Sequence, residues 1–406
     1  MSNMTPNSNV SYCPLIEMMR NFSSKSNEVN WVVVSLHGLV SCLGILENAL
    51  IIWVLGFRLR QHTVISIWVL NLSLSDFLAC LTLPLFTAYL SLSKSWELSD
   101  FLCTAQSSIF YVNMFVSAFL LTVISLDRLL LVVKPVWSKN HRSVAGAWKV
   151  CALGWLWAVI NTAPYSVFRS VIERHDGKKL CYHNFALYLS VNESLETVCA
   201  VREQATAISK MLFAFLFPLV IITASYIKIA LRLNDLVRRR KQNDKRMNDI
   251  LTRGGSSEVN NIPLKTTDNN FSPKSFTADS STKAKSNATS SSTSAPSLLP
   301  KSFTKMTALV IIAFTLFWAP YHILCMMEVA FYQKEIADTR LPLAATFSFL
   351  NPVLNPVLYA FSCPQFCLKI RQNLTAVFEG LIEEGGLLMV PGSFKPQKSQ
   401  DVDFKL

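Results

Sequence analysis

The sequence predicts an all-α membrane protein: a bundle of seven transmembrane helices followed by a short amphipathic eighth helix. Of its 406 residues, 51% are hydrophobic and only 16% are charged, whereas soluble domains carry about 25% charged residues. Seven stretches reach the roughly 20 apolar residues that a membrane-spanning helix needs. These spans are, approximately, residues 31–57, 65–92, 104–133, 148–168, 206–233, 305–331 and 341–362.

Basic residues orient the seven spans. Clusters around Arg58, Lys134, Arg238 and Lys369 follow every second span, and such clusters stay on the cytoplasmic side. The N-terminus is therefore expected outside and the C-terminus inside. The net charge of +12 then reflects membrane orientation, so we expect no nucleic-acid partner.

This orientation divides the chain into segments with different roles. The stretch 234–304 begins with basic residues and becomes rich in Ser, Thr and Asn, a composition too polar to form a packed core. The predicted segments are an outer N-terminus (1–30), spans one to five with their loops (31–233), a disordered third inner loop (234–304), spans six and seven (305–362), the eighth helix (363–377) and a cytoplasmic tail (378–406).

Motifs for covalent modification agree with this orientation. Four Asn-x-Ser/Thr acceptors fall on the outer side and predict N-glycosylation; they are Asn3, Asn9, Asn21 and Asn192. Cys363 and Cys367 follow the seventh span beside basic residues, where either palmitoylation or simple packing is expected.

Four of the ten cysteines lie on the oxidising outer side, where disulfides form. Four cysteines allow three pairings. We pair Cys103, at the top of the third span, with Cys181 in the second outer loop, which leaves Cys13 for Cys199. The second bridge would hold the N-terminus over the bundle as a lid; the alternative is a free Cys13.

Polar side chains inside a bilayer must find partners. Asp76 lies halfway along the second span, and two pairs four residues apart, Asn113 with Ser117 and Asn351 with Asn355, share helix faces in the third and seventh. One carboxylate with four oxygen-bearing side chains suits a small hard cation such as Na⁺. The alternative is a water-filled polar network without a specific ion.

Four further charges in or near the spans need an explanation. Asp127 and Arg128 are adjacent at the inner end of the third span, where they are expected to neutralise each other. Arg169 ends the fourth span and Lys210 lies in the outer part of the fifth. These two cations either face an anionic ligand or extend outward to water.

The sequence resembles rhodopsin-like (class A) G-protein-coupled receptors over about 31–377. Each span carries a residue or motif typical of that family, in the right order. They are Asn48, LSLSD ending at Asp76, DRL at 127–129, Trp155, Pro218 with Tyr226, FWAP at 317–320 and NPVLY at 355–359. DRL and FWAP depart from the usual D/E-R-Y and CWxP.

The resemblance implies how such a receptor would signal. Asp127 would hold Arg128 at rest, and Arg128 would meet a G protein near Tyr226 and Tyr359 after the sixth helix moves at Trp318. Asn355 would serve both this motion and the Na⁺ shell. The implied partners are a heterotrimeric G protein of the inhibitory (Gi) type, arrestin and receptor kinases, with no cofactor other than an allosteric Na⁺.

The resemblance extends to receptors of this family for acidic lipid chemoattractants, and it implies a ligand site. Arg169 and Lys210 would bind a carboxylate, and apolar walls would hold the acyl chains. The other site residues would be Tyr182 and Tyr321 beside the cations, Phe110, Phe86 and Tyr89 in the wall, and Glu328 for a ligand hydroxyl. Gln106 and His183 stand where the resemblance leads us to expect histidine and tyrosine, which leaves ligand preference open.

Other functions remain as alternatives. The same site could bind a chemoattractant peptide or another anionic metabolite, and a non-signalling scavenger receptor would tolerate the leucine at position 129. A retinal-dependent pump needs a lysine in the last span, and residues 341–362 contain none. Because the sequence has no spacing typical of a paired nucleophile and base, an enzyme is not expected.

Overall fold

The computed structural model describes residues 11–21, 29, 31–189, 194–254, 301–331 and 340–362. Most of the predicted inner loop, the eighth helix and the tail lie outside the described residues. So do five predicted modification sites and one predicted side chain: Asn3, Asn9, Asn192, Cys363, Cys367 and the side chain of Tyr359.

The described chain is mainly helical, which confirms the predicted fold class. The helices preceding the outer hairpin are α1 (Pro14–Arg20), α2 (Trp31–Trp53, continued by a π-helical turn, Val54–Arg58), α3 (Val64–Ser91), α4 (Asp100–Val133), α5 (Pro135–His141) and α6 (Val144–Val167). The hairpin and the later helices are β1 (Arg169–Glu173), β2 (Lys179–His183), α7 (Leu195–Ser209, followed by a π-helical segment, Lys210–Leu216), α8 (Phe217–Gly254), α9 (Lys301–Phe331), α10 (Leu341–Ser348) and α11 (Leu350–Ser362).

Six helical segments of the described chain are long and apolar enough to cross a membrane. The seventh span is formed by α10 and α11, which are separated at Phe349. Proline has no backbone N–H, so Pro352 cannot donate to the carbonyl of Ser348, four residues earlier. The helix is interrupted at this point.

The fifth membrane helix is longer than expected. It begins at Leu195 instead of 206 and runs to Gly254, so residues 234–254, which we assigned to a disordered loop, are helical. Charged side chains stabilise this extension: Asp235 is paired with Arg239 at 3.2 Å and with Arg232 at 3.5 Å. Such pairs, three or four residues apart, support helix beyond the apolar span.

Polar and small residues fix the packing between membrane helices. Asn48 donates to the carbonyls of Gly44 and Pro352 at 2.9 and 3.1 Å, which ties the first helix to the seventh. Trp155 donates to the side-chain oxygen of Asn71 at 3.1 Å and ties the fourth to the second. Since a Cβ added at Gly44 would lie 2.4 Å from the sulfur of Cys80, only glycine allows this approach.

The outer face is covered by α1 and the antiparallel β1–β2 hairpin. Both predicted disulfides are present, Cys13–Cys199 and Cys103–Cys181. Apolar side chains of α1, including Ile16 and Met19, are buried in a cluster with Ile172 and Leu180 of the hairpin. Cys13 is not free, and the N-terminus is held over the bundle as predicted.

Candidate functional site

A cavity of about 990 Å³, including its open mouth, lies below this cover and is called the outer cavity here. The second, third, fifth, sixth and seventh membrane helices, the hairpin and α1 all contribute to its lining. Its lining includes all ten residues predicted for the ligand site: Phe86, Tyr89, Gln106, Phe110, Arg169, Tyr182, His183, Lys210, Tyr321 and Glu328. The structure therefore brings together residues separated by more than 200 positions in the chain.

Lys210 lies at the start of the π-helical segment of the fifth helix. Proline at 218 cannot donate to the carbonyl of Ala214, and the widened turn accommodates this missing hydrogen bond. The Lys210 side chain is 8% exposed and donates to the sulfur of Cys325 at 3.5 Å. Its position rules out the alternative that it extends outward to water.

Three aromatic rings surround the ammonium group of Lys210. The nitrogen lies 5.7 Å from the ring centre of Tyr111, 5.3 Å from that of Tyr165 and 5.7 Å from that of Tyr321. Cation–π attraction stabilises a desolvated cation at these distances. Among the described residues, however, no carboxylate lies within ion-pair distance of Lys210, so its charge is stabilised by the rings but is not paired directly.

Arg169, the first residue of β1, is the second cation of the outer cavity. Its guanidinium donates to Nδ1 of His183 at 3.2 Å and to the sulfur of Cys181 at 3.3 Å, and it lies 5.9 Å from the ring centre of Tyr182. None of these partners carries a negative charge. Within the described chain, Arg169 also has no ion-pair partner.

His183 is neutral in this environment. Burial and the charges of Arg169 and Lys210 hold its pKa well below the ordinary 6.5. Because Arg169 always donates, Nδ1 of the histidine accepts and the proton is on Nε2. That N–H is buried without a hydrogen-bond partner among the described residues.

Glu328 is the buried carboxyl group of the outer cavity, with 6% of its surface exposed. The hydroxyl of Tyr182 donates to it, which links the hairpin to the sixth helix. Burial and the neighbouring Glu328 raise the pKa of Tyr182 well above 10.0. The phenol therefore stays protonated and keeps donating to this carboxyl.

Several lining residues of the outer cavity were missed by sequence reasoning. Met19 reaches it from α1, Trp96 from the first outer loop, and Phe349 from the interruption in the seventh helix. Tyr111 follows the predicted Phe110, and its hydroxyl lies 3.3 Å from that of Tyr321. Hydrophobic periodicity marks such residues as core, so no local signal separates them from ordinary packing residues.

The predicted cation-binding residues also converge. Asp76 is fully buried and accepts hydrogen bonds from Asn355 at 2.8 Å, Asn113 at 2.9 Å and Ser117 at 3.4 Å. Asn351 is buried as well, and its amide nitrogen has no partner in the described part of the chain. One buried carboxylate with several side-chain oxygens nearby fits the donor set that Na⁺ prefers.

At the inner end of the third helix, Asp127 is engaged by a residue that the sequence did not indicate. Arg142, which caps α5, donates to both carboxylate oxygens of Asp127, at 2.7 and 3.0 Å. Such two-point pairing is stronger than a single contact. The predicted pairing of Asp127 with Arg128 stays a prediction.

The activation residues predicted for the sixth and fifth helices lie in the core. Trp318 is 1% exposed and its ring centre lies 6.1 Å from that of Phe110, a lining residue of the outer cavity. Tyr226 is 8% exposed and lies near the inner end of the predicted fifth span, 206–233. Phe110 and Trp318 thus connect the outer cavity with the point in the sixth helix just above Pro320.

Seven membrane helices, an outer cavity beneath a cover and the order of motifs along the helices define a membrane receptor. The chain belongs to the rhodopsin family of seven-transmembrane receptors, because the model of the family described as "7 transmembrane receptor (rhodopsin family)" matches residues 47–359. It is therefore a multi-pass plasma-membrane receptor, not an enzyme, and its partners are a ligand and a G protein.

Curated relatives support the same family. The chain is 38% identical to "Prostaglandin D2 receptor 2" of Mus musculus over 380 residues, covering 92% of the chain and 84% of the relative. It is 29% identical to "Chemerin-like receptor 1" of Rattus norvegicus over 93% of the chain and 86% of the relative. It is 27% identical to "C3a anaphylatoxin chemotactic receptor" of Oncorhynchus mykiss over 92% of the chain and 85% of the relative.

Proposed function

We propose that this protein is a cell-surface receptor for an acidic lipid mediator, prostaglandin D2 or a related prostanoid, and that it signals chemotaxis through inhibitory (Gi-type) G proteins. The observation that carries the proposal is the pair of cations in the outer cavity, a buried Lys210 and a half-buried Arg169. Neither Arg169 nor Lys210 forms an ion pair within 4.0 Å among the described residues, although the carboxyl group of Glu328 attracts Lys210 from farther away. A buried charge without a directly paired counterion is costly, and a ligand carboxylate in contact with Lys210 would reduce that cost.

The remaining lining supports a ligand with long apolar chains. Phe86 stacks near Tyr89 with ring centres 5.6 Å apart, and Phe110 packs edge-on against Tyr321 at 5.6 Å. These rings form an apolar wall, while Nε2 of His183 supplies a free donor. One anionic end, a few polar groups and a large apolar remainder are the features of a prostanoid that such a cavity can recognise.

The names of two groups of relatives support this ligand class. The relative at 38% identity is named for prostaglandin D2, and the relatives named for chemerin and C3a are less similar, at 29% and 27%. A chemoattractant peptide or another anionic metabolite is therefore the second candidate. The cover formed by α1 and the hairpin favours a small ligand, since it narrows the entrance to the outer cavity.

We further propose an allosteric Na⁺ at Asp76, held with Asn113, Ser117, Asn351 and Asn355. By analogy with the family, arrestin and receptor kinases would end the signal. When bound, Na⁺ would neutralise the buried carboxylate of Asp76. An ion that favours the resting bundle and an agonist that favours the active one must weaken each other's binding.

The proposed function can be tested with a ligand panel on cells that express the full chain. Prostanoids, fatty acids, and peptides that mimic the C-termini of chemerin and C3a would be compared by inhibition of cAMP, with and without pertussis toxin. We expect a prostanoid to inhibit cAMP at the lowest concentration, and the toxin to abolish the response. A response to peptides alone would favour the second candidate, and binding without any signal would indicate a scavenger receptor.

A further inference from the structure

A second cavity lies between the outer ends of the fifth and sixth membrane helices, beneath α1. Its volume is about 440 Å³, including its open mouth, within the range of about 300–1,000 Å³ that is usual for small-molecule sites. We call it the side cavity. Four residues line both this cavity and the outer cavity: Tyr182, His183, Lys210 and Glu328. The two cavities therefore adjoin, and a ligand at their boundary can extend into both.

Two buried carboxyl groups give the side cavity a negative end. Glu203 of α7 lines it and is 4% exposed, and Glu328 at the boundary is 6% exposed. Within the described chain, Tyr182 donates to Oε1 of Glu328, so the other carboxylate oxygen can accept from a further donor. The rest of the wall includes apolar side chains, among them Ile16 and Val329. Carboxyl groups buried in such surroundings attract a cation.

Lys210 gives the same cavity a positive end. Glu203 precedes it by seven positions, almost two turns, so both side chains lie on one face of the fifth helix, about 10 Å apart along its axis. Among the described residues, Lys210 forms no ion pair within 4.0 Å. A group with a negative charge at one end and a positive charge at the other would bridge these two side chains.

His183 adds a donor of fixed orientation to this boundary. Its side chain is 8% exposed, and Nδ1 accepts a hydrogen bond from Arg169 at 3.2 Å. Nε2 therefore carries the proton, and it has no hydrogen-bond partner among the described residues. A buried donor without a partner is costly, and a carboxylate oxygen of a ligand would satisfy it.

We propose that this boundary binds the head group of a lipid conjugated to an α-amino acid. The carboxylate of the head pairs with Lys210 and accepts from Nε2 of His183. Its ammonium group, on the same carbon, pairs with Glu203 and Glu328 in the side cavity. The apolar chain extends into the outer cavity toward Phe110. This ligand class goes beyond the proposed prostanoid, and because both ligands use Lys210, each excludes the other.

Other ligand classes match only part of this site. A fatty acid or a prostanoid has a carboxylate for Lys210 but no cation for the two carboxyl groups. A peptide's C-terminal carboxylate lies beside an uncharged amide nitrogen, and a simple amine leaves Lys210 unpaired. An α-amino acid supplies both charges at once, so its charge pattern is complementary to that of the site.

The test uses the purified full-length receptor in lipid nanodiscs and S-octyl-L-cysteine, which has an α-amino-acid head and an apolar chain. Affinities come from the rise in thermal midpoint with ligand concentration. The N-acetyl derivative lacks the ammonium group, and the carboxamide lacks the carboxylate. We expect each derivative to bind at least about 30-fold more weakly, the effect of removing one partner of a buried charge pair.

Glu203→Gln keeps the shape of the side chain and removes its charge. It should weaken binding of S-octyl-L-cysteine at least about 30-fold and change the affinity of the N-acetyl derivative by less than about threefold. Glu196→Gln is the matched control, because it makes the same substitution on the same helix at an exposed position. Its affinities should equal those of the unmodified receptor.

Three outcomes would overturn the proposal: no saturable stabilisation by S-octyl-L-cysteine, equal affinity for the N-acetyl derivative, or unchanged affinity in folded Glu203→Gln. The comparison of derivatives needs only the unmodified receptor, so it decides the matter even if that variant does not fold. Glu203→Gln should leave binding of prostaglandin D2 unchanged, since that ligand has no ammonium group. The amino-acid site and the proposed prostanoid function can therefore fail separately.

Discussion

Replacing Lys210 by methionine is the most direct perturbation of the outer cavity. Methionine keeps an unbranched apolar stem that fits among the rings of Tyr111, Tyr165 and Tyr321, and it removes only the charge. The site is desolvated, since Lys210 is 8% exposed and its nitrogen has a thiol and three rings around it. The loss of affinity should therefore report the interaction between the ammonium group and the ligand's carboxylate.

The expected magnitude follows from the burial. Two unit charges about 4 Å apart attract by about 4 kcal/mol at an effective dielectric constant of about 20. Removing one member of a buried hydrogen-bonded charge pair costs about 2–5 kcal/mol. At about 1.4 kcal/mol per tenfold, Lys210→Met should weaken binding of an acidic prostanoid by about 30-fold to 4,000-fold, toward the lower figure because Arg169 remains.

The assay is radioligand competition on membranes, with prostaglandin D2 and its methyl ester as the two competitors. The ester has no negative charge, so Lys210→Met should change its affinity by less than about threefold, within the range of an ordinary packing change. Lys228→Met is the matched control: the same substitution on the same helix, at an exposed position far from the outer cavity. It should bind both competitors normally.

Two outcomes would refute this reasoning. If Lys210→Met binds the acid as tightly as the unmodified receptor does, the ammonium group does not contact the carboxylate. If acid and ester lose affinity equally, the variant has disturbed packing instead of a charge pair. Only a loss specific to the acid supports the proposed site.

Four further predictions concern other parts of the receptor. Cys13→Ser removes the disulfide to Cys199 and releases α1, so the ligand should dissociate faster. The free energy of unfolding should fall by about 2–5 kcal/mol, measured as a lower thermal midpoint. An unchanged dissociation rate would contradict the role of α1 as a lid. His183 has a pKa well below 6.5, so it stays neutral from pH 8 to 6, and affinity for a carboxylate ligand should be flat over that window; a tenfold rise on acidification would contradict it. By linkage, the unfolded chain binds more protons than the folded one below pH 6.5, so His183 lowers stability only in more acidic solution. Arg142→Ala frees both oxygens of Asp127 and should raise basal inhibition of cAMP. Unchanged basal inhibition would show that this pair does not restrain the inner end of the third helix. Sodium should lower agonist affinity in the unmodified receptor but not in Asp76→Asn, as measured by binding with and without NaCl; equal sodium dependence in both would refute the ion site.

The membrane spans were predictable because bilayer thickness and hydrocarbon set their length and composition. Helix ends outside the bilayer were less predictable. The fifth helix starts at Leu195 and extends to Gly254, and both ends have a mixed polar composition that is stabilised as helix by packing and ion pairs. The interruption at Phe349 depends on the missing N–H of Pro352. The sequence contains that proline, but which backbone bond is lost depends on the helical register.

The sequence and its family resemblance predicted the class of receptor and both disulfides, and the ten residues predicted for a ligand site line one cavity, although their binding role stays a prediction. Charged and polar residues inside a bilayer are costly enough to stand out from their apolar surroundings, so their positions carry information. Tertiary structure alone decided what surrounds each of them. The three rings around Lys210 and the pairing of Asp127 with Arg142 join residues from different helices. Their distances arise only when the helices pack, because contacts between helices have no local pattern in the chain.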